Sequence, residues 1–224
     1  MPRDDAPSIT AGDLIRAYTL GFFPMANARD AESLVWVRPD ERGVFPLDGL
    51  KISKSLRKSV RKAGFDVTVD TDFPAVIAAC AEATPTRPDT WINPQIEEMY
   101  VELFARGVAH SVECRRDGEL VGGLYGIAIN GGFFGESMFS RATDASKVAL
   151  VHLVARLNAA GFALLDAQFQ NDHIERLGAI EISREDYEAR LDAALATAAS
   201  FSDAPIDHRD AEAVLSLASP SVSG

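Results

Sequence analysis

The sequence lacks the features that mark several large classes of protein. It holds only two cysteines in 224 residues, Cys80 and Cys114, and they form no CxxC pair. This usage indicates a reduced, cytoplasmic protein rather than a disulfide scaffold, and no paired Cys/His spacing predicts a metal site. No apolar run approaches the ~20 residues of a membrane span, and the polar N-terminus has no signal-peptide core.

Nucleotide-binding motifs are missing as well. There is no P-loop, and no GxGxxG opens a helix, which disfavours mononucleotide hydrolysis and dinucleotide chemistry. Ser137 lies in the beginning of a nucleophile elbow whose closing glycine is absent, and the four histidines are scattered along the chain. A catalyst built from this sequence must therefore use carboxylates, amides or backbone dipoles.

The charge is unevenly distributed along the chain. The whole sequence carries 22 basic and 33 acidic side chains, a net charge of −11, which disfavours nucleic acid as a partner. Residues 1–62, however, contain eleven basic and eight acidic side chains, whereas residues 63–224 contain eleven and 25. No acidic residue lies within one predicted amphipathic helix, so its basic face is either a solvated surface or a contact for a polyanion. This face is formed by six residues: Lys51, Lys54, Arg57, Lys58, Arg61 and Lys62.

The order of the predicted elements indicates an α+β fold. Three strand-like runs, at residues 110–115, 120–129 and 132–138, are separated by Asp117-Gly118 and Asn130-Gly131, which are strong hairpin signals. Helical patterns precede these runs, and a helix, a strand and further helices follow them. The pattern predicts a mostly antiparallel central sheet. The order of elements resembles that of the GNAT acyltransferase fold.

Two segments carry polar groups in apolar surroundings. Asp166 and Gln168 share one face of a predicted apolar strand. Burying both groups costs free energy unless they find partners, so they lie either at a solvated strand end or in an active site. Glu136 interrupts a second, aromatic strand that is flanked by glycines. Aromatic packing explains part of that strand but does not explain an acid within it.

Many segments, in this order, resemble the bacterial leucyl/phenylalanyl-tRNA–protein transferase family. The most specific part is the combination of residues 135–140 with the segments around Asp166 and His173. The resemblance covers roughly residues 12–192 and rests on these segments: Gly21–Pro24, Trp36, Pro39–Asp40, Ile52–Ser55, Thr90–Ile92, His110–Glu113, Leu120–Gly126, Gly135–Ser140, Ala145–Lys147, Leu165–Asp166, Gln168 and Asn171–His173.

The resemblance implies an enzyme of protein degradation. It would move Leu or Phe, and Met less well, from aminoacyl-tRNA to the α-amine of proteins that begin with Arg or Lys. It also implies a cytoplasmic enzyme that needs no metal, ATP or coenzyme A, and we expect a monomer. The family's architecture implies a small N-terminal domain at residues 1–42 and a GNAT-like catalytic domain at residues 43–200. The Pro, Ser and Asp content of residues 201–224 predicts a flexible tail.

The resemblance also assigns roles to particular residues. Gln168 would contact the attacking amine, Asp166 would polarise Gln168 through hydrogen bonds, and Glu136 would bind the cationic N-terminal residue or its ammonium group. The tRNA is a polyanion, so its expected contact is the basic face described above. Four residues match positions of the aminoacyl and adenosine pocket: Met25, Trp91, Leu124 and Phe133.

Three other functions stay open at this point. A coenzyme A-dependent N-acetyltransferase would share the GNAT-like order, but residues 140–147 lack the glycine spacing of a coenzyme A cradle. A transferase with a different acceptor residue would use the same donor chemistry. A non-catalytic tRNA-binding module would need only the basic helix, and it would not explain Asp166, Gln168 and Glu136.

Overall fold

A small N-terminal unit precedes the main sheet in the computed structural model, which describes residues 9–62, 64–84 and 88–219. Helix α1 (Ala11–Thr19) begins at Thr10, whose side chain accepts the Asp13 backbone N–H while Asp13 accepts the Thr10 N–H. Strands β1 (Phe23–Ala26) and β2 (Leu34–Val37) then form an antiparallel pair. Residues 1–8 of the predicted N-terminal domain lie outside the described residues.

The main sheet contains seven strands in the described part of the chain: β3 (Glu41–Phe45), β4 (Asp66–Val69), β5 (Ala109–Arg116), β6 (Glu119–Ile129), β7 (Gly132–Ser140), β8 (Leu164–Gln168) and β9 (Ile180–Ser183). Their order across the sheet is β4-β5-β6-β7-β8-β3-β9. Strands β7 and β8 are parallel, and each of the other neighbouring pairs is antiparallel. The predicted α+β class and mostly antiparallel sheet are therefore confirmed.

Helices cover both faces of this sheet. They are α2 (Lys54–Lys62), α3 (Phe73–Ala81), α4 (Pro94–Ala105), α5 (Ala145–Ala160), α6 (Asp172–Glu175), α7 (Arg184–Leu195) and α8 (Ala211–Ala218). Because strand side chains alternate, adjacent residues enter different cores. Phe134 and Leu164 pack with α1, α3, α4 and α7, whereas Phe133 and Leu165 pack with α5 and α8. The sheet is thus the middle layer between two hydrophobic cores, the first of which contains Phe134 and the second Phe133.

The segment after residue 200 differs from the predicted flexible tail. Phe201 is buried between the rings of His110 and Phe133, and Val214 of α8 is fully buried against α5. Asp210 accepts the backbone N–H groups of Glu212 and Ala213 and so caps α8. The prediction is therefore wrong for residues 201–219, because their apolar side chains complete the second core. Residues 220–224 of the predicted tail lie outside the described residues.

None of the helices in the described part of the chain has the length and apolar character that crossing a bilayer requires.

Candidate active site

A cavity opens where β7 and β8 separate. The two strands pair over three residues each, Gly132–Phe134 of β7 and Leu164–Asp166 of β8. Beyond these residues they diverge. The cavity has a volume of about 270 Å³. Its polar wall includes Glu136, Ser137, Asp166, Gln168, Asn171 and His173. Its apolar wall includes Phe45, Leu124, Met138, Leu150, Leu153, Leu165, Phe169 and Ile174. A mostly apolar slot therefore ends beside a small group of polar side chains, as in many ligand sites.

Gln168 ends β8 in an unusual backbone conformation. Its φ is +57°, in the left-handed region that non-glycine residues adopt only with a cost of about 1–2 kcal/mol. The neighbouring strand β3 makes room for this turn at Gly43, where a Cβ atom would lie 2.8 Å from the Phe169 and Gln170 backbone. The turn places the Gln168 Nε2 atom 3.2 Å from the Glu136 Oε1 atom. The strand end is therefore shaped to bring these two polar side chains together.

Asp166 is a fully buried carboxylate with a complete set of donors. Its Oδ1 atom accepts Arg42 Nε at 2.9 Å and the Gln168 backbone N–H at 2.8 Å. Its Oδ2 atom accepts Arg42 Nη2 at 2.6 Å and the Tyr187 hydroxyl at 2.8 Å. The predicted hydrogen bond from Asp166 to Gln168 thus goes to the main chain, and the side-chain amide of Gln168 points to Glu136 instead. Asp166 fixes the turn on which Gln168 stands.

Glu136 is a half-buried carboxylate held by neutral donors. Its Oε1 atom accepts the Tyr18 hydroxyl at 2.6 Å, and Tyr18 is hydrogen-bonded to Tyr100. Burial raises the pKa of Glu136 to about 7, although hydrogen bonds from Tyr18 and Tyr100 lower it. Burial and the nearby Glu136 charge also raise the pKa of the Tyr18 hydroxyl, so it stays a proton donor. Glu136 therefore changes its charge near neutral pH.

Three further side chains belong to this network without a clear signal in the sequence: Arg42, Tyr18 and Tyr187. Arg42 stands immediately before an apolar strand segment, which is the one local sign that its charge is buried. Tyr18 and Tyr187 lie on α1 and α7, and both read as ordinary core aromatics at helical spacing. Their polar partners become visible only in the folded chain.

The four predicted pocket residues are separated in the structure. Leu124 lines the cavity. Phe133 is fully buried on the same face of the sheet, but it stacks on Phe201 at 5.3 Å between ring centroids and is absent from the described cavity lining. Met25 and Trp91 pack against the first core, where the Ala26 N–H donates to the Trp91 carbonyl. The described lining of this cavity thus includes only Leu124 of the four, with Phe133 in the core beside Gly126, and their joint role as an aminoacyl and adenosine pocket stays a prediction.

The predicted basic helix is present, but it begins later than the pattern indicates. Lys51 precedes α2, which starts at Lys54. Lys54, Lys58 and Lys62 are exposed, whereas Leu56 is buried against the second core. The other two basic residues are Arg57, which is half-buried, and Arg61, which is exposed.

The basic face is not wholly without acidic partners. Arg61 donates to both carboxylate oxygens of Glu212 on α8, at 2.6 and 3.0 Å. The expected lack of compensating charge is therefore wrong for Arg61, because an acidic residue 151 positions away supplies it.

Two family models match consecutive segments of the chain. A model described as leucyl/phenylalanyl-tRNA protein transferase matches residues 44–192, and a model of the N-terminal domain of the same family matches residues 8–40. The chain belongs to the leucyl/phenylalanyl-tRNA protein transferase family. The predicted family and enzyme class, an aminoacyltransferase, are therefore confirmed. The gap between the two matched segments, residues 41–43, falls within β3 and contains Arg42.

Curated relatives that carry the family name are similar along most of their length. The protein named leucyl/phenylalanyl-tRNA–protein transferase from Paramagnetospirillum magneticum is 58% identical over 193 residues, which cover 86% of this chain and 92% of the relative. The protein of the same name from Rhodospirillum rubrum is 56% identical over 194 residues, covering 87% and 91%. That from Caulobacter vibrioides is 56% identical over 198 residues, covering 88% and 90%.

Proposed function

We propose that this enzyme transfers Leu or Phe, and Met less well, from aminoacyl-tRNA to the α-amine of proteins that begin with Arg or Lys. The product is marked for degradation that depends on the N-terminal residue, and the reaction takes place in the cytoplasm without metal, ATP or coenzyme A. One observation carries the proposal: an apolar slot ends at Glu136 and Gln168 in the gap between β7 and β8. The family name supports the transfer from aminoacyl-tRNA to protein.

The apolar part of the cavity suits the donor amino acid. Leu124, Leu150, Leu153 and Leu165 line it together with Met138. Such walls favour Leu, Phe and Met, because burying their side chains releases about 1.5–3 kcal/mol each, whereas a polar side chain would lose its hydrogen bonds to water. Met25 and Trp91 are proposed as contacts of the terminal adenosine outside this slot.

The polar edge suits the acceptor amine. Glu136 would bind the α-ammonium or the cationic side chain of the acceptor through charge-assisted hydrogen bonds. A base is most effective when its pKa lies near the working pH, and the pKa of Glu136, which burial raises to about 7, meets this condition. Gln168 donates its Nε2 hydrogen to Glu136, so its Oε1 atom is the end that orients the amine. A neutral amide is too weak a base to take the proton itself.

Every proton and bond in the proposed reaction is accounted for by the enzyme, the aminoacyl-tRNA and the acceptor. Glu136 takes a proton from the α-ammonium, and the free amine then attacks the ester carbonyl carbon of the aminoacyl-tRNA. The new C–N bond forms as the ester C–O bond breaks, and the second amine proton goes to the departing ribose oxygen. The ester is already activated, so no further source of energy is required. The enzyme supplies position and a proton acceptor.

The α2 helix is the proposed contact for the tRNA backbone. Its exposed side chains Lys54, Lys58 and Lys62 form no salt bridge within the described residues. Unpaired lysines can neutralise phosphates and release counterions, which makes binding depend on salt. The helix also contacts α5, which supplies Leu150 and Leu153 to the cavity wall.

The GNAT-like architecture is also proposed, on the order of elements, but a coenzyme A cofactor is disfavoured by local geometry. Residues 140–146 lead into α5, where the pyrophosphate loop of a GNAT enzyme would lie. The N–H groups of Arg141 and Ala142 donate to the Val121 carbonyl, and that of Ser146 donates to Ser140 Oγ. Asp144 adds a negative charge at the same place. Amides already bonded within the chain, beside a carboxylate, form a poor pyrophosphate site.

The decisive experiment supplies the protein with charged Leu-tRNA and with peptides that begin with Arg, Lys, Asp or Ala. We expect transfer of Leu to the Arg and Lys peptides only. Transfer to the Asp peptide would assign a different acceptor class, and no transfer to any peptide would contradict the proposal. A parallel reaction with acetyl-coenzyme A and no tRNA should give no product, and acetylation there would favour the N-acetyltransferase.

A further inference from the structure

Arg42 is a buried guanidinium that is fixed on all sides. It is 2% exposed, and besides its two hydrogen bonds to Asp166 it donates from Nη1 to the Gly21 carbonyl at 3.0 Å. The Phe23 and Tyr187 rings lie 4.6 and 4.4 Å from its Cζ atom. Arg42 therefore ties the N-terminal unit, β3, β8 and α7 together at one point, and it cannot change partner unless those segments move.

A short series of hydrogen bonds leads from Arg42 to the cavity. Arg42 Nε and the Gln168 backbone N–H share the same acceptor, Asp166 Oδ1. The other carboxylate oxygen is held by Arg42 Nη2 and by the Tyr187 hydroxyl. The carboxylate plane is thus fixed from both ends, and one of its oxygens in turn fixes the left-handed turn at Gln168. The orientation of the Gln168 amide toward Glu136 depends on this turn.

We propose that Arg42 and Tyr187 are positioning residues of the transfer reaction, which act through Asp166 to hold the Gln168 amide beside Glu136. The inference rests on the proposed function, because it assigns a use to the geometry of that same site. Neither residue belongs to the described lining of the cavity, and both reach it through their hydrogen bonds to Asp166. Their effect is on the arrangement of the site and not on the binding of the donor or the acceptor.

The test compares two variants of the clamp, which is formed by Arg42, Asp166 and Tyr187, with a control on the helix of Tyr187. Arg42→Lys keeps the charge but cannot fill all the hydrogen-bonding positions of the guanidinium. Tyr187→Phe keeps the ring over Arg42 and removes only the hydroxyl. Leu191→Ala lies one turn beyond Tyr187 in the same core, and it removes apolar packing but none of the hydrogen bonds to Asp166. Transfer of Leu to an Arg peptide gives kcat and both KM values, well below the melting temperature of each variant.

We expect Arg42→Lys to lower kcat by about ten- to a hundredfold and Tyr187→Phe to lower it several-fold, because small misplacements of reacting groups have effects of this size. Both KM values should stay within about twofold, since the binding contacts are kept. Leu191→Ala should lower the melting temperature and leave kcat unchanged. The proposal is overturned if the clamp variants change only KM, or if Leu191→Ala lowers kcat as much as Tyr187→Phe.

A second measurement does not depend on activity. Amide hydrogen exchange at Gln168 should speed up in Tyr187→Phe and Arg42→Lys, and it should stay as in the wild type in Leu191→Ala. Equal exchange at Gln168 in all four proteins would overturn the clamp itself. A wild-type protein that makes no product with any peptide would instead count against the proposed function, so the two failures are distinguishable. If Arg42→Lys does not fold, Tyr187→Phe decides the matter alone.

Discussion

Two carboxylates face the same cavity in opposite electrostatic settings. Asp166 is fully buried and paired with Arg42 through two hydrogen bonds. Glu136 is half-buried, and among the described residues it forms no salt bridge with a lysine or arginine; its partners are Tyr18 and Gln168. The guanidinium holds Asp166 in place from one side, whereas Glu136 has only neutral donors around it and a pKa that burial raises to about 7. Under the proposed function, Asp166 would hold the site in place and Glu136 would exchange the proton.

The largest expected effect comes from removing the paired acid. Asp166→Ala leaves the Arg42 guanidinium buried without a counter-charge, so we expect a loss of about 3–5 kcal/mol in the free energy of unfolding, together with loss of transfer. Urea denaturation followed by circular dichroism measures the change. A double variant, Arg42→Met with Asp166→Leu, should recover part of the stability but none of the activity. A free energy of unfolding for Asp166→Ala within about 1 kcal/mol of that of the wild type would contradict the stabilising role of the Arg42–Asp166 pair.

The unpaired acid should matter for rate more than for folding. Glu136→Gln keeps the size of the side chain and removes the proton acceptor, so we expect kcat to fall about a hundredfold, or about 2.7 kcal/mol of transition-state stabilisation. Glu113→Gln is the matched control, because Glu113 is a buried carboxylate of β5 that accepts hydroxyl donors from Ser111 and Thr68. Its kcat should equal that of the wild type. A Glu136→Gln enzyme at full rate would assign proton transfer elsewhere.

Stability should also depend on pH through Glu136. Burial raises its pKa in the folded state from the ordinary 4.5 to about 7, so between these values the folded protein binds more protons than the unfolded chain. Its stability therefore falls as the pH rises through this range. We expect the wild type to lose about 1–3 kcal/mol relative to Glu136→Gln between pH 4.5 and 8, after allowance for partial exposure. Melting temperatures of both proteins, measured at several pH values in this range, test the expectation. It is wrong if the stability of the two proteins changes with pH in the same way.

The smallest effects concern charges on α2. Here Arg61 is paired with Glu212, whereas Lys58 forms no salt bridge among the described residues. Lys58→Gln should lower the slope of log KM for charged tRNA against log salt by about one, since one phosphate contact is lost. Arg61→Gln should change the slope less, because Glu212 already occupies the Arg61 guanidinium. Titration of KM with potassium chloride measures both slopes. Equal slopes for the wild type, Lys58→Gln and Arg61→Gln would show that α2 is only a solvated surface helix.

Local signals in the sequence were sufficient for the sheet but not for the site. The hairpin turns form at Asp117 and Asn130, which adopt φ values of +53° and +52° as their short polar side chains permit. Asp166, Gln168 and Glu136 stand out because they are polar in apolar strands, and the fold brings them to one cavity. Local pattern alone therefore located the strands and the acids.

Contacts between distant segments could not be predicted in this way. Arg42 is 124 positions from Asp166, and Arg61 is 151 positions from Glu212. No periodicity within either segment encodes such a partner, because the partner is set by the order of strands and by the packing of α8. The prediction of a flexible tail at residues 201–219 failed for a related reason. It rested on their Pro and Ser content, whereas their apolar side chains pack into the second core.

The left-handed turn at Gln168 has a consequence for engineering. Glycine would adopt this backbone without the steric cost of about 1–2 kcal/mol, so a selection for heat resistance alone would drift toward glycine here. The resulting protein would keep the turn without this steric cost and yet lack the amide that faces Glu136. At position 168, selection for stability therefore works against activity. A library of thermostable variants of this enzyme must be screened by product formation and not by melting temperature.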